Sequence, residues 1–237
     1  MIFDQSEFDL RCEWGQQGVT KLASISDVVV IVDVLSFSTC VDIATSCEAI
    51  VFPYRSHDAS IDDYAKSINA LLTSRDRAIG YSLSPTSLLN IPPQTRLVLP
   101  SPNGSTLTLS TGKITTLTGC LRNCLASARF AQTCGSKIAV IPAGERWDDG
   151  TLRPAWEDWI GAGAILSYLP GRLSPEAEAA VAAFERVKER LEAGLCQCCS
   201  GKELISRGFA TDVKLASALN SSDCVPIFLN GAYVKAK

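Results

Sequence analysis

Histidine is nearly absent from this chain: its 237 residues include one histidine, His57, and one methionine. A single imidazole excludes a zinc site built from three histidines. A serine–histidine–aspartate triad would have to use His57, which lies in the polar stretch 55–60. Such a stretch is typical of a solvated loop that leads into a helix, so we expect no catalytic role for His57.

An excess of basic residues and a long apolar run are also missing. The 22 basic and 25 acidic residues leave a net charge of −3, whereas nucleic-acid binders are normally basic. The apolar run at 28–32 is far shorter than the ~20 residues that cross a bilayer. The acidic N-terminus also lacks the basic segment of a secretory signal. We therefore expect a cytoplasmic protein that binds neither nucleic acid nor a membrane.

Cysteine, by contrast, is abundant, with ten residues. Disulfide frameworks are typical of short secreted chains, and this chain is mid-sized and shows no export signal. The one cluster is formed by Cys196, Cys198 and Cys199, and no second pair follows at zinc-ligand spacing. A structural role is the simpler interpretation of these cysteines, and a metal or redox role is the alternative.

Short β-branched runs alternate with helical patterns along the first two thirds of the chain. The predicted strands are 28–34, 49–54, 96–100 and 137–142, and the predicted helices are 38–47, 60–72 and 121–133. This alternation predicts an α/β fold with a largely parallel or mixed sheet and helices on both faces, a three-layer arrangement. No linker or repeat interrupts the pattern, so we expect one domain over residues 1–237.

The last third, from about 174 to 237, is expected to be more helical. Ser174, followed by proline and glutamate, is typical of a helix start, and the helix is predicted to continue to Ala193 until Gly194 ends it. Further elements are predicted at 202–206 and 212–219 (helices) and at 225–234 (a hairpin with an Asn-Gly turn).

Polar residues follow the predicted strand 28–34. Asp33 stands at its end, and Ser36, Ser38 and Thr39 lead into the next helix. A buried aspartate is costly to desolvate unless a cation or hydrogen-bond donors compensate it, and the free N–H groups of a helix start favour anions. These residues are candidates for binding a phosphate and a cation; helix capping is the alternative interpretation.

A second polar loop follows the strand 96–100. It contains Ser101, Asn103, Gly104, Ser105 and Thr106. Glycine allows the backbone to approach a ligand closely, and the hydroxyl and amide groups are neutral donors. The loop lacks the lysine and glycine spacing of a nucleotide-binding motif. It is a candidate phosphate-binding loop, with a simple capped loop as an equally weighted alternative.

Carboxylates follow the third strand. Glu145 comes just after it, and Glu157 and Asp158 lie near the start of a predicted helix. Two carboxylates ~4 Å apart at an effective dielectric of ~20 repel by about 4 kcal/mol, so gathering them with Asp33 requires a cation. Mg²⁺ prefers oxygen ligands of this kind. The residues alone indicate magnesium-assisted chemistry on a phosphorylated small molecule, with Asp33, Glu145 and one or both of Glu157 and Asp158 as ligands.

Ten short motifs, spread in order over nearly the whole chain, carry a resemblance to a known family. They are Glu13–Gly15, Val29–Leu35, Ser101–Thr106, Ala143–Glu145, Arg153–Asp158, Gly161–Ala164, Ser200–Leu204, Gly208–Phe209, Val225–Pro226 and Asn230–Gly231. With these motifs the chain resembles the 2-phosphosulfolactate phosphatase family. The resemblance implies an α/β fold of the family's own type and allows for a homodimer.

The resemblance also implies an activity. The family hydrolyses (2R)-2-phospho-3-sulfolactate to 3-sulfolactate and phosphate with Mg²⁺, a step of coenzyme M synthesis in methane-forming archaea. Asp33, Glu145 and Asp158 would then be catalytic, with water or Asp33 as the nucleophile; we favour water. The alternatives are a phosphatase or an isomerase or lyase for another phosphorylated acid, and a non-catalytic protein that binds a phosphorylated metabolite.

One position departs from the family pattern. Many members have arginine after Asp-Val-Leu, where this chain has Ser36. An arginine there would hold a phosphate or sulfonate. Arg122, next to Asn123, and Arg153 are candidate replacements that would bind the substrate's anionic groups, with a surface or structural role as the alternative for each arginine.

Overall fold

The computed structural model describes residues 3–56 and 58–237, so His57 lies outside the described residues. The strands are β1 (Leu10–Cys12), β2 (Val28–Val32), β3 (Ile50–Tyr54), β4 (Leu71–Leu72), β5 (Arg96–Pro100), β6 (Thr115–Gly119), β7 (Ile138–Pro142), β8 (Glu145–Arg146), β9 (Leu152–Arg153), β10 (Pro226–Leu229) and β11 (Ala232–Lys235). The helices are α1 (Gly15–Leu22), α2 (Phe37–Ser46), α3 (Ile61–Ser67), α4 (Gly104–Thr108), α5 (Cys124–Cys134), α6 (Trp156–Leu166), α7 (Pro175–Val187), α8 (Leu191–Gln197), α9 (Cys199–Ser206) and α10 (Ala210–Ala216).

Nine of the described strands form one mixed sheet in the order β1-β7-β2-β6-β10-β11-β3-β5-β4. The neighbours in this order are parallel except at the β10–β11 hairpin, which inserts antiparallel between β6 and β3. The hairpin turns at Asn230 and Gly231, both at positive φ, as the Asn-Gly pair predicts. The α/β prediction with a mixed sheet is confirmed.

The central strand β2 shows why the sheet is covered on both faces. All five of its residues are fully buried. Val28, Val30 and Val32 pack into a core with α5, α6 and α7, whereas Val29 and Ile31 pack into a second core with α1 and α4. A strand buried on both faces needs a continuous apolar sequence rather than an alternating one.

The predicted helix 60–72 is wrong in its second half. Helix α3 ends at Ser67, and Asn69 adopts a positive φ of 50°. The chain then turns so that Leu71 and Leu72 form β4 and pair with β5. The spacing of these leucines suits a helix, but their pairing with β5 decides that they form a strand.

The predicted helix 174–193 is interrupted, and Gly194 does not end it. Helix α7 ends at Val187, a 3-10 turn covers Lys188–Arg190, and α8 continues through Gly194. A Cβ atom at Gly194 would lie 2.4 Å from the ring of Trp156. The glycine is needed for this close approach between α8 and α6.

Two further features of the described residues concern the length of the helices and the state of the cysteines. None of their helices combines the length and apolar character that crossing a bilayer requires. All ten cysteines are free thiols.

Candidate active site

Asp33 follows β2 directly and is held by the backbone of two loops. Its Oδ1 accepts a hydrogen bond from the N–H of Phe37 (3.2 Å) and its Oδ2 one from the N–H of Gly104 (2.8 Å). The side chain is nearly buried, and this burial raises the pKa of Asp33, with a further increase from the negative charge of Glu157. The two N–H donors act in the opposite direction because they stabilise the ionised carboxylate.

Gly104 is required at this contact. A Cβ atom on it would lie 2.3 Å from the ring of Phe37 and 2.8 Å from Oδ2 of Asp33. Glycine was predicted here because it allows the backbone to approach a ligand closely. In the structure, the group that the backbone of Gly104 approaches is the side chain of Asp33. The loop after β5 and the loop after β2 are locked together at this point.

Asp158, in the first turn of α6, is held by backbone at both oxygens. Its Oδ1 accepts from the N–H of Val34 (2.7 Å) and its Oδ2 from the N–H of Gly144 (2.8 Å). These donors follow β2 and β7, so Asp158 ties the ends of two neighbouring strands together. Burial, together with the charge of Asp33, raises the pKa of Asp158 well above its usual range.

Glu145 lies at the start of the β8–β9 hairpin and is half-buried. Its Oε2 accepts a hydrogen bond from Nδ2 of Asn103 at 2.8 Å. Burial, followed by the charge of Asp33, raises the pKa of Glu145 to about 7. Both Glu145 and Asn103 line a cavity of about 360 Å³ beside Trp14.

Glu157 precedes Asp158 in α6 and is 2% exposed. It lines a different cavity, of about 410 Å³, together with Arg153 and Cys198. Burial, followed by the charge of Glu157, raises the pKa of Cys198 to about 12. The thiol beside Glu157 is therefore neutral at physiological pH.

Asp33, Glu145, Glu157 and Asp158 lie beyond the carboxyl ends of the parallel strands β2 and β7. The backbone groups that bind Asp158 belong to Val34, next to Asp33, and to Gly144, next to Glu145. The negative charges of Asp33, Glu157 and Glu145 all raise the pKa of Asp158. The structure thus brings together the carboxylates that the sequence placed in three distant segments.

Proximity does not by itself create a metal centre. Across residues 3–56 and 58–237, no three histidine, cysteine, aspartate or glutamate side chains are arranged to hold a metal ion together. Asp33 and Asp158 each accept backbone N–H groups with both oxygens, which fixes their orientation. Magnesium coordination by these acids stays a prediction.

The hydroxyl groups that precede and begin α2 have partners within the protein. Oγ of Ser38 accepts from the N–H of Asp33 (2.9 Å) and hydrogen-bonds to Oγ1 of Thr118 (2.6 Å). Oγ1 of Thr39 donates to the carbonyl of Val34 at 2.8 Å. Both side chains are fully buried, so they shape the loop that carries Asp33.

The hydroxyl groups of the loop after β5 also have hydrogen-bond partners within the protein. Ser101 donates weakly to Oδ2 of Asp33 (3.4 Å), Ser105 donates to the carbonyl of Leu99 (2.9 Å), and Thr106 donates to the carbonyl of Ser101 (3.3 Å). These contacts order the loop around Gly104. Ser101 is the member of this set whose hydroxyl reaches the acids.

Two of the predicted anion-binding residues have internal partners. Nε of Arg122 lies 2.9 Å from Oδ2 of Asp42 in a nearly buried ion pair. Asn123 accepts from the N–H of Cys120 (2.9 Å) and donates to the carbonyl of Cys224 (3.1 Å). These contacts fit the structural alternative considered for Arg122.

Arg153 lies close to the acids. Its charge lowers the pKa of Glu145, and its guanidinium lies over the ring of Trp147 at 5.7 Å. It makes a long hydrogen bond of 3.4 Å to Oγ of Ser200. Among the predicted arginines, Arg153 therefore lies beside both Glu145 and the cavity that contains Glu157.

Sequence reasoning missed Arg77. Both of its Nη atoms donate to Oγ of Ser36, at 3.3 and 3.2 Å. Nη1 also lies 3.5 Å from Oδ2 of buried Asp212, and the guanidinium lies over the ring of Phe209. No sequence pattern distinguishes Arg77 from other loop arginines, because its partners lie 41 residues or more away.

Buried acids and a tight glycine loop beyond the carboxyl ends of parallel strands define the class: an α/β protein with an acidic small-molecule site at its sheet edge. Residues 16–231 match the model of the family described as 2-phosphosulpholactate phosphatase. The chain therefore belongs to the 2-phosphosulpholactate phosphatase family, and the resemblance found in its motifs is confirmed.

A relative supports the same assignment. The 2-phosphosulfolactate phosphatase of Methanothermobacter thermautotrophicus is 30% identical over 135 residues, which are 57% of this chain and 57% of that protein. The match thus spans little more than half the length of the relative.

Proposed function

We propose that this chain is a Mg²⁺-dependent phosphatase that hydrolyses (2R)-2-phospho-3-sulfolactate to 3-sulfolactate and phosphate, as in coenzyme M synthesis. The carrying observation is the gathering of Asp33, Glu145, Glu157 and Asp158 beside Arg153 in a chain of this family. Burial and neighbouring carboxylates raise the pKa values of Asp33, Glu145 and Asp158, and a nearby cation would favour their ionised forms. A phosphate ester supplies the remaining oxygens.

The donors fit Mg²⁺ if two carboxylates hold it. Mg²⁺ usually keeps several waters and binds through one or two carboxylates plus substrate phosphate oxygens, so three converging acids are not required. We assign the ion to Asp33 and Glu157, and we assign Asp158 the task of fixing the backbone. When bound, Mg²⁺ neutralises charge on the phosphoryl group.

Glu145 is suited to proton transfer. Its pKa of about 7 lies near the operating pH, where a general base works best. The hydrogen bond from Asn103 orients one of its oxygens. In the proposed step, Glu145 takes a proton from the attacking water, whose oxygen forms a new P–O bond as the ester P–O bond breaks. The leaving alkoxide takes a proton from solvent to give the hydroxy acid, and Glu145 later releases its proton to solvent.

Asp33 is a poorer nucleophile than water in this arrangement. Each of its oxygens already accepts a backbone N–H, and attack on phosphorus would weaken one of these bonds. Arg153 is the side chain that we assign to the anionic substrate, because it lies beside Glu145 and Glu157. Ser38, Thr39, Ser105, Arg122 and Asn123 receive no ligand contact in this proposal.

Phosphate release from a panel of phosphorylated hydroxy acids, with Mg²⁺ and after full chelation, tests the proposal. We expect Mg²⁺-dependent release that is fastest for 2-phospho-3-sulfolactate. Equal rates after metal removal would contradict the metal assignment. Phosphorus NMR distinguishes the alternatives: a changed product with its ester intact indicates an isomerase or lyase, and tight retention without turnover indicates a binding protein.

A further inference from the structure

The cavity beside Glu157 is not lined by Asp33, Glu145 or Asp158. It lies between the start of α6 and the segment that joins α7 to α9, and its volume is about 410 Å³. Trp156, Val187 and Gly194 give it apolar walls, and Arg153 and Arg190 contribute guanidinium groups. Pockets of this size with a few converging polar groups are typical of small-molecule sites.

The two arginines of this cavity have unused donors. The side chain of Arg190 is exposed and makes no hydrogen bond or ion pair with any residue in 3–56 or 58–237, and that of Arg153 makes the long contact with Ser200. Arg122, in contrast, is paired with Asp42 at 2.9 Å. A guanidinium presents five donors in a planar fork that matches a carboxylate, sulfonate or phosphate.

The charge of the cavity also favours an anion. Two of its lining residues, Arg153 and Arg190, are cationic, whereas Glu157 is its one carboxylate among the described lining residues. If Glu157 binds a cation, as in the proposed function, no other carboxylate of the cavity lining offsets the two guanidinium charges. Arg153 is half-buried beside the apolar walls and Arg190 is exposed at the cavity, so the attraction for an anion is stronger at Arg153.

We propose that this cavity binds a carboxylate or sulfonate group of the substrate, while the phosphate ester lies elsewhere. Arg190, together with Arg153, would select for substrates that carry this group. The inference rests on the proposed function: the phosphate ester lies at Asp33 and Glu145, and the rest of the molecule extends past Glu157. The ligand class is a short hydroxy acid whose second anionic group is a carboxylate or a sulfonate. Arg190 is thus a specificity-determining residue, and it takes no part in the proton transfer.

The variant Arg190→Gln tests the assignment, with Arg186→Gln as the matched control. Arg186 lies one turn earlier and is exposed, as Arg190 is, but it does not line the cavity. The substrates are 2-phospho-3-sulfolactate and isopropyl phosphate, which lacks a second acid. Losing a charge-assisted hydrogen bond is expected to raise KM for the sulfolactate ester about tenfold to a hundredfold, with kcat within about threefold.

The decisive measurement is whether Arg190→Gln changes KM for 2-phospho-3-sulfolactate but not for isopropyl phosphate. For isopropyl phosphate, Arg190→Gln should match the unmodified protein, and Arg186→Gln should match it on both substrates. Arg190→Lys should recover part of the lost affinity, since it restores the charge without the planar fork. An unchanged KM for the sulfolactate ester, or an equal rise for both substrates, would overturn the assignment.

A binding measurement separates this inference from the proposed function. Calorimetric titration with 3-sulfolactate, which carries no phosphate, needs no turnover. We expect about tenfold weaker binding to Arg190→Gln than to Arg186→Gln. Equal binding refutes the cavity assignment even if phosphate is released, whereas weaker binding without any phosphate release refutes the phosphatase proposal and leaves the anion site in place.

Discussion

Two pairs of acids at the same sheet edge have different surroundings. The amide-bound acids, Asp33 and Asp158, each accept backbone N–H groups with both carboxylate oxygens. The cavity-lining acids, Glu145 and Glu157, face two separate cavities. Neighbouring carboxylates can therefore have different tasks, because the first pair fixes loops and the second remains available to a ligand. Asp33 links the two tasks, as both a loop anchor and a proposed cation ligand.

The largest effect is expected for Asp33→Asn. The two N–H groups bind different oxygens of Asp33, and asparagine would place an NH2 donor at one of these positions. It also removes the negative charge from the proposed cation site. Turnover should fall at least about a hundredfold, and the free energy of unfolding should fall by about 1–3 kcal/mol. Steady-state kinetics and urea unfolding measure both effects.

The control for this variant is Asp148→Asn, which changes an exposed aspartate near the site. It should retain normal turnover and stability. Near-normal turnover of Asp33→Asn would reject the role assigned to Asp33.

A smaller loss of turnover, about tenfold to a hundredfold, is expected for Glu157→Gln. This variant should be at least as stable as the unmodified protein without metal, because it neutralises a carboxylate that is 2% exposed. Thermal unfolding with and without Mg²⁺ provides the comparison. If Mg²⁺ stabilises the variant as much as the unmodified protein, Glu157 does not bind the ion.

Asp158→Asn should reduce stability more, and turnover less, than Glu157→Gln does. Its carboxylate holds the N–H groups of Val34 and Gly144, so its replacement leaves a buried donor unsatisfied at a cost of about 1–3 kcal/mol. The loss of unfolding free energy should exceed that of Glu157→Gln, and the loss of turnover should be smaller. Equal stability of the two variants would remove the distinction between amide-bound and cavity-lining acids.

Much of the fold could be predicted because buried parallel strands leave a strong local signal. The apolar runs of β2 and β7 are continuous, since both faces of each strand are covered. Strand β6, which contains three threonines, gave no such signal, and β1 and β4 are only three and two residues long. Their pairing depends on partners distant in sequence.

The gathering of the candidate site was predictable where an acidic residue stands close after a strand. Asp33 and Glu145 were placed at the same end of the sheet by this rule. The partners of a hydroxyl or a guanidinium were not, since sequence does not show whether Thr39 faces a ligand or the carbonyl of Val34. Arg77 reaches the site region from a loop and Arg190 from the 3-10 turn between α7 and α8, both without a motif, and tertiary packing alone brings them there.

The smallest effect concerns the pH dependence of stability and is expected for Glu145→Gln. In the folded protein the pKa of Glu145 is raised from 4.5 to about 7. Between these values the folded state binds more protons than the unfolded state, so the free energy of unfolding falls as pH rises and levels off above about pH 7. The ~2.5-unit difference corresponds to about 3 kcal/mol, and partial exposure to solvent reduces this to roughly 2 kcal/mol.

Glu145→Gln removes this contribution because glutamine does not ionise. The variant should exceed the unmodified protein by roughly 2 kcal/mol at pH 8, and the difference should vanish near pH 4.5. The raised pKa values of Asp33 and Asp158 impose a decline of the same sign on both proteins and largely cancel in the comparison. Urea unfolding in chelator from pH 4.5 to 8 measures the difference, and parallel curves would show that Glu145 ionises normally and is not poised as a base near pH 7.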